Sequence, residues 1–350
     1  MSNTRWSTAS FFVLLIGISL FSIGMAVIFG NASLSIQDVY KVIGYQLFSI
    51  EKWKMYGEGA IYDIVWNIRL PRILLAFVVG MALSTSGAVM QGVVQNPLAD
   101  PYILGISSGA YLGVILAIVL GVEHIFGGSG VGMMAFFGAF VSGSIVLLLA
   151  NIGGSASTSK LVLMGVGISG ISSAFASGIL YFFNSKEAMV QVMFWTMGSL
   201  AGAEWGKVSI VAPIILFCFL FFLFQYRNLN LLLLGDETAQ TLGVDSRKLK
   251  IYYSMVASLM VGLSVYCAGT IGFVGLIIPH ITRMISGSNH KKMLFPCGMF
   301  GGIFLLWSDV ACRSILPYSE LPIGIFVAMI GAPVFLFLLV KHSYGFGGKR

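Results

Sequence analysis

The chain has 350 residues, of which 57% are hydrophobic and only 9% are charged, and its mean hydropathy is +0.93. A soluble domain carries about 25% charged residues, so this chain cannot cover a water-facing globule, and a bilayer is the solvent that fits. The net charge of +7 is no argument for nucleic acid, since what matters is where the basic residues fall, and the 43 glycines follow no collagen triplet.

Stretches without Asp, Glu, Lys or Arg run over 6–37, 73–99, 103–122, 131–159, 161–185, 208–226, 251–282, 293–308 and 321–340. A spanning helix needs about 20 residues. Eight of these stretches read as one helix each. The stretch 251–282 is broken by Gly269, Gly272, Gly275 and Pro279 and reads as two helices with a tight turn. The expectation is an all-α polytopic membrane protein, a single transmembrane domain over 1–350. Its ten spans fall near 11–29, 72–92, 102–121, 131–150, 161–183, 208–226, 251–268, 271–285, 293–312 and 321–340. The first run exceeds the roughly 7–15 residues of a signal-peptide core and reads as a retained anchor. An even number of spans puts both termini on one side. The Lys and Arg bias, including Arg247, Lys248, Lys250, Lys291 and Lys292, puts that side in the cytoplasm.

Taken in chain order, Arg69-Leu70-Pro71-Arg72 sits at the outer mouth of span two, with Pro71 suited to a helix's first turn. The two arginines are expected to point outward, as interfacial anchors or as part of a positive patch. Gln95 to Pro101, with two prolines, is a stiff inner connector carrying Asn96 and Leu98. Gly105, Gly109 and Gly113, then Gly198, Gly202 and Gly206, then Gly298 and Gly302 recur at four-residue spacing, which lets helix backbones approach in lipid. Ser157, Thr158 and Ser159 lie in a small polar inner loop. On span five, Ser169, Ser173 and Ser177 share one helix face that either lines a pathway or packs. Residues 188–198 read as a short outer interfacial or re-entrant helix rather than a span.

Gly235 to Val244 is a short inner helix pattern: Asp236 and Glu237 occupy its first turn, Ala239 and Leu242 share an apolar face, and Gly243 ends it. It is a connecting loop or a docking helix for a soluble partner. Arg313 lies near the outer end of span nine, four residues after Asp309, so the two form a local pair or Arg313 joins the mouth arginines. The scattered cysteines and histidines suggest no metal site, no phosphate-binding loop is present, and no charged pair lies deep in a span. Energy for uphill transport must then come from a partner. Positions 182 apart echo one another (Val79-Gly80 with Val261-Gly262, Pro97 with Pro279, Gly105 with Gly287), consistent with inverted halves.

The run RLPRILLAFVVGMALSTSGAVMQGVVQNPLADPYILGISSGAYLG at 69–113, GTIGFVGLIIPHITR at 269–283 and ELPIGIFVAMIGAPVFLFLL at 320–339 closely resemble the permease subunit of bacterial ABC importers for iron–siderophore, haem and vitamin B12. The resemblance implies ten-helix subunits paired as a homodimer or heterodimer around a central pathway. It implies that Arg69, Arg72 and Arg313 dock glutamates of an extracytoplasmic substrate-binding protein. It further implies that Gly235, Asp236, Glu237, Ala239, Leu242 and Gly243 form the coupling helix for a cytosolic ATPase, with Asn96, Leu98, Ser157, Thr158 and Ser159 as the cytoplasmic gate. The chain itself would bind no cofactor, metal or nucleic acid and would not be an enzyme; ATP and Mg would sit on the partner ATPase. The expected function is uptake of an iron–siderophore or related chelate across the cytoplasmic membrane, with haem or cobalamin as alternative cargo. An ion-gradient-driven transporter is disfavoured by the absence of membrane-embedded carboxylate relays, and an intramembrane enzyme by the absence of a nucleophile–base pair.

Overall fold

The computed structural model describes residues 8–30, 32, 34–125, 128–152, 158–316 and 319–341. The helices are α1 (Thr8–Ala26), α2 (Ile36–Phe48), α3 (Ala60–Tyr62), α4 (Leu70–Val94), α5 (Ile106–Val119), α6 (Gly130–Asn151), α7 (Thr158–Phe183), α8 (Lys186–Met197), α9 (Trp205–Phe224), α10 (Tyr226–Leu232), α11 (Asp236–Thr241), α12 (Ser246–Ala268), α13 (Val274–Ser286), α14 (His290–Ile315) and α15 (Ile323–Lys341). Among the described residues, seven helical runs are long and apolar enough to cross a membrane. Three shorter apolar helices, α5, α13 and α15, accompany them. Ten apolar helices therefore stand where the charge-free stretches were read. The 251–282 stretch divides between α12 and α13: Gly269, at φ 68°, caps α12, and Phe273, at φ 67°, precedes α13. Gly275 and Pro279 lie inside α13 rather than in the break.

α4 is the axle of the bundle. It packs against α9, α12, α13 and α14, and 89% of its apolar window is buried. Lipid is as apolar as leucine, so close van der Waals contact rather than water exclusion holds such helices together. Small residues make that contact possible. A Cβ on Gly80 would stand 2.2 Å from the Gly301 carbonyl oxygen of α14, and one on Gly87 would stand 1.8 Å from the Gly275 oxygen of α13. Gly109 and Gly113 of α5 meet α6 in the same way, at Gly138 and Met134. Gly298 and Gly302 receive the rings of Phe219 and Phe77. The predicted row of Gly198, Gly202 and Gly206 does not form: Gly198 caps α8, Gly202 lies in a turn, and Gly206 has open space before it. Four-residue spacing speaks for packing only where the chain is one helix, and here it passes from α8 through a turn into α9.

Two further elements depart from the sequence reading. The helical run of span two begins at Ala60, twelve residues before the expected start, and winds as a widened π-type coil over Asp63–Arg69 before α4. Pro71 has no N–H to give to Asn67, and Leu70 N–H instead reaches back five residues to the Val65 carbonyl, which widens the turn. α2 was not foreseen at all. It is a short amphipathic helix that buries Val39, Val42 and Gly44, with Lys41 and Asp38 both meeting the Tyr56 hydroxyl at 3.1 Å. Residues 188–198, read as a short interfacial or re-entrant helix, fall in α8 (Lys186–Met197), which Gly198 caps.

Replacing Gly87 or Gly80 with Val is expected to abolish the folded, monodisperse protein on size-exclusion chromatography in detergent. Gly178→Ala on α7, where a Cβ meets nothing within 4 Å, should leave elution and thermal midpoint unchanged.

Candidate functional site

α4 runs about 37 Å at 1.5 Å per residue, and its two ends carry different chemistry. Its first end holds three buried arginines: Arg69, Arg72 and Arg313 are 4%, 7% and 5% exposed. They do not point outward as expected. Arg69 Nη1 donates to the Val27 and Ile28 carbonyls at 2.9 Å, and Nη2 to the Ala32 carbonyl at 2.6 Å. Arg313 donates from Nη1 to the Phe29 carbonyl at 2.8 Å and from Nη2 to the Ala26 carbonyl at 3.0 Å. These five carbonyls lie at the C-terminal end of α1 and just beyond it, where a helix leaves acceptors unsatisfied and its dipole is negative. A cation there contributes about 0.3–1 kcal/mol at an exposed helix end and up to about 2 kcal/mol when partly buried. The guanidinium of Arg69 lies flat against Gly30, where a Cβ would be 2.8 Å from Nη2.

Arg72 answers a different need. Its Nε donates to both carboxylate oxygens of Asp309, at 2.9 and 3.1 Å, and its Nη1 donates to Glu320 Oε1 at 2.8 Å. Asp309 is 1% exposed and also meets Arg313 Nε at 3.4 Å. The local Asp309–Arg313 pair read from the i, i+4 spacing is thus present, but Arg72 grips the same carboxylate more closely. Glu320, 41% exposed at its side chain, is the solvent-facing member of the network. Its part was not read from the sequence, although the ELPIG run that contains it was singled out.

At the other end of α4, Gln95 takes a left-handed turn (φ 55°) and its Nε2 donates to the Leu232 carbonyl of α10 at 3.0 Å. Asn96 folds back so that its Oδ1 accepts from Leu98 N–H at 2.9 Å, the local turn that Asn favours before a rigid connector. Asp100 Oδ1 accepts from Tyr102 N–H at 2.8 Å and starts the short turn Pro101–Leu104. Of the three polar gate candidates on the other loop, Ser157 lies outside the described residues; Thr158 and Ser159 are the first two residues of α7.

α11 is a single six-residue coil preceded by Gly235 at φ 98° and followed by Gly243 at φ 79°. Ala239 is buried, whereas Leu242, just past the helix end, is 58% exposed. The two were expected to share a face; the turn that terminates α11 sends them apart. Glu237 is exposed. Asp236 was read as a dipole-favoured first-turn acid, but its Oδ2 is bound by Lys250 Nζ at 2.7 Å. Lys250 is only 1% exposed and also reaches Thr158 Oγ1 at 3.3 Å. Lys250 entered the sequence reading only as one basic residue among the inner flanks.

Along α7 the serine row divides. Ser169 and Ser173 line a cleft of about 350 Å³ with Tyr102, Ser107, Ser108, Tyr111, Thr196 and Thr270. Ser177 is exposed and does not line it; one residue on, Gly178 lines a separate apolar groove with Val119 and Phe175. Only 17% of the apolar window of α7 is buried within the chain. Cys218, Cys267, Cys297 and Cys312 are buried free thiols.

This arrangement has close parallels among known proteins. The hemin transport system permease protein HmuU of Yersinia pestis is 37% identical over 299 residues, covering 83% of this chain and 87% of its own. The vitamin B12 import system permease protein BtuC of Klebsiella pneumoniae is 40% identical over 297 residues, covering 83% and 87%. A metal-chelate-type ABC transporter solved in an inward-facing conformation superposes with a TM-score of 0.80 at 32% identity, over 96% of this chain and all of the other. Residues 14–341 match the model of the FecCD transport family. The chain belongs to that family, as a multi-pass membrane permease.

Proposed function

We propose that this permease is the membrane-spanning subunit of an ATP-driven importer in the bacterial cytoplasmic membrane, with both termini cytoplasmic. It carries a metal chelate, an iron–siderophore or a related complex such as haem or cobalamin. A second permease copy, homologous or identical, completes the pathway, and the bare face of α7 with its cleft serines Ser169 and Ser173 supports that assignment. Ser177 belongs to the same helix face but to the apolar end of it. ATP and Mg belong to cytosolic ATP-binding subunits, and cargo capture to an extracytoplasmic binding protein.

The observation that carries the reading is α11. It offers Glu237 and Leu242 to a soluble partner while Asp236 and Ala239 tie it to the bundle. A short, exposed helix with one firm anchor is a suitable contact through which an ATPase can bias a two-state bundle. Asn96, Leu98, Thr158 and Ser159, with Ser157 beside them in sequence, are proposed as the gate on that side.

At the arginine end, the binding protein would meet a surface whose positive charge is already engaged within the chain. Glu320 is the exposed carboxylate on Arg72. A glutamate of the binding protein would take its place there, with Arg69 and Arg313 holding the ground beneath.

Four outcomes follow. In proteoliposomes, uptake of ferric siderophore, haem or cobalamin should require ATP, the ATPase and the binding protein together; uptake by the chain alone would overturn the reading. Leu242→Arg should cut ATP-dependent uptake at least tenfold and weaken ATPase co-purification with no change in thermal midpoint, since the side chain is exposed. Asp309→Asn should destabilise the fold by about 3–5 kcal/mol, because it leaves buried arginines without their counter-charge. Glu320→Gln should cost only about 0–1 kcal/mol and should tighten binding-protein docking at low salt. Both are read by thermal unfolding in detergent and by equilibrium binding.

A further inference from the structure

α12 begins one short turn after α11, and its first two turns reach in three directions. Lys250 Nζ binds Asp236 Oδ2 of α11 at 2.7 Å and approaches Thr158 Oγ1, at the start of α7, at 3.3 Å. Arg247, one turn earlier, binds Asn151, the last residue of α6, through Nε to the side chain and through Nη2 to the backbone carbonyl at 3.4 Å. The same stretch of α12 therefore holds the end of α6, the start of α7 and the first residue of α11. α7 is otherwise the least embedded long helix, and it carries the Ser169 and Ser173 lining of the polar cleft.

A lysine ammonium that is 1% exposed cannot exchange its partners for water without a large desolvation cost, so its short contact to Asp236 resists separation far more than a surface ion pair would. The long lysine stem and its tetrahedral donor head can hold one carboxylate and one hydroxyl on different helices at once. An arginine fork would impose a planar geometry there.

We propose that Lys250 is the pin that transmits displacement of α11 to α7, so that movement of the coupling helix reaches the cleft through Asp236, Lys250 and Thr158. Lys250 is a positioning residue in this scheme: it touches neither nucleotide nor cargo. The inference rests on the importer reading above and deepens it by naming the mechanical link.

The test uses the full complex of permease, ATPase and binding protein in proteoliposomes, and reads cargo imported per ATP hydrolysed. Thr158→Val keeps the side-chain shape and leaves the Asp236–Lys250 pair in place. It is expected to lower the transport-to-hydrolysis ratio three- to tenfold, with ATPase co-purification and thermal midpoint unchanged. Lys250→Met should lower the ratio at least tenfold while ATP hydrolysis stays within about twofold of the parent. The exchange Asp236→Lys with Lys250→Asp should recover part of the loss. A purely structural role would instead depress assembly and stability and leave the ratio of the surviving complex intact. Should Lys250→Met not fold, Asp236→Asn is read beside Thr158→Val: the pin requires the ratio to fall in both, whereas a fall in Thr158→Val alone reports the gate and overturns the pin. An unchanged ratio in Thr158→Val, with the parent complex coupled, overturns the pin but leaves the importer reading standing. A parent complex that imports without ATP overturns the importer reading itself.

Discussion

Lipid gives a polar group nothing to bond to, and this constraint explains where the cations of the chain are placed. A helix that ends inside or at the edge of a bilayer leaves carbonyl oxygens without donors. α1 ends in that way, and Arg69 and Arg313 supply the donors from two other helical runs, fastening α1 to the start of α4 and the end of α14. The arginines thereby lose their own access to water. Arg72, left beside them, would keep only the solvent-facing Glu320 without Asp309, the buried carboxylate that arrives from α14. The cluster is a set of mutual obligations among α1, α4, α14 and the segment before α15. The opposite end repeats the logic with a lysine: Lys250 is buried, and Asp236 and Thr158 are the groups that make its burial tolerable.

Between those ends, contact is made by subtraction. Where α4 crosses α14 and α13, glycines on both sides bring backbone to backbone, with Gly80 against Gly301 and Gly87 against Gly275. The dispersion gain of two helices at such short range is spread over many small terms, and none of it depends on solvent. The polar side chains inside follow the same economy of space: the Ser84 hydroxyl donates to the Cys297 carbonyl at 3.0 Å, and Arg283 Nη2 donates to Gln91 Oε1 at 2.7 Å, binding α13 to α4.

Much of the architecture was legible in the sequence because the bilayer demands long uncharged runs, and a charge interrupts such a run visibly. The ten apolar helices and the division of 251–282 were accessible in that way. α2 was not, since Asp38 and Lys41 interrupt its apolar residues, and a 13-residue amphipathic helix that buries only Val39, Val42 and Gly44 leaves no such mark. The arginine motif was visible, but not its orientation. Burial of Arg69 depends on carbonyls about 40 residues upstream, and backbone acceptors have no signature in a sequence. Lys250 was hidden for a related reason: its carboxylate lies 14 residues back across a turn, outside the i, i+3 and i, i+4 spacings that reveal helix pairs. Leu242 misled because a helical face was extended one residue past the helix end, and Ser177 because a row of hydroxyls at constant spacing says nothing of how far along the helix a cleft extends.

The contrast between α4 and α7 also bears on how such permeases diverge. Along α4 almost every position has neighbours on all sides, and at Gly87 even a methyl group has no room. Along α7, Gly167, Gly170 and Gly178 face open space, and residues such as Leu163, Val166 and Phe182 are largely exposed. Mutational drift can thus accumulate on one rod while the other stays frozen. Side chains on α7 can be exchanged without reopening the central joints, so variation along this rod leaves the scaffold intact.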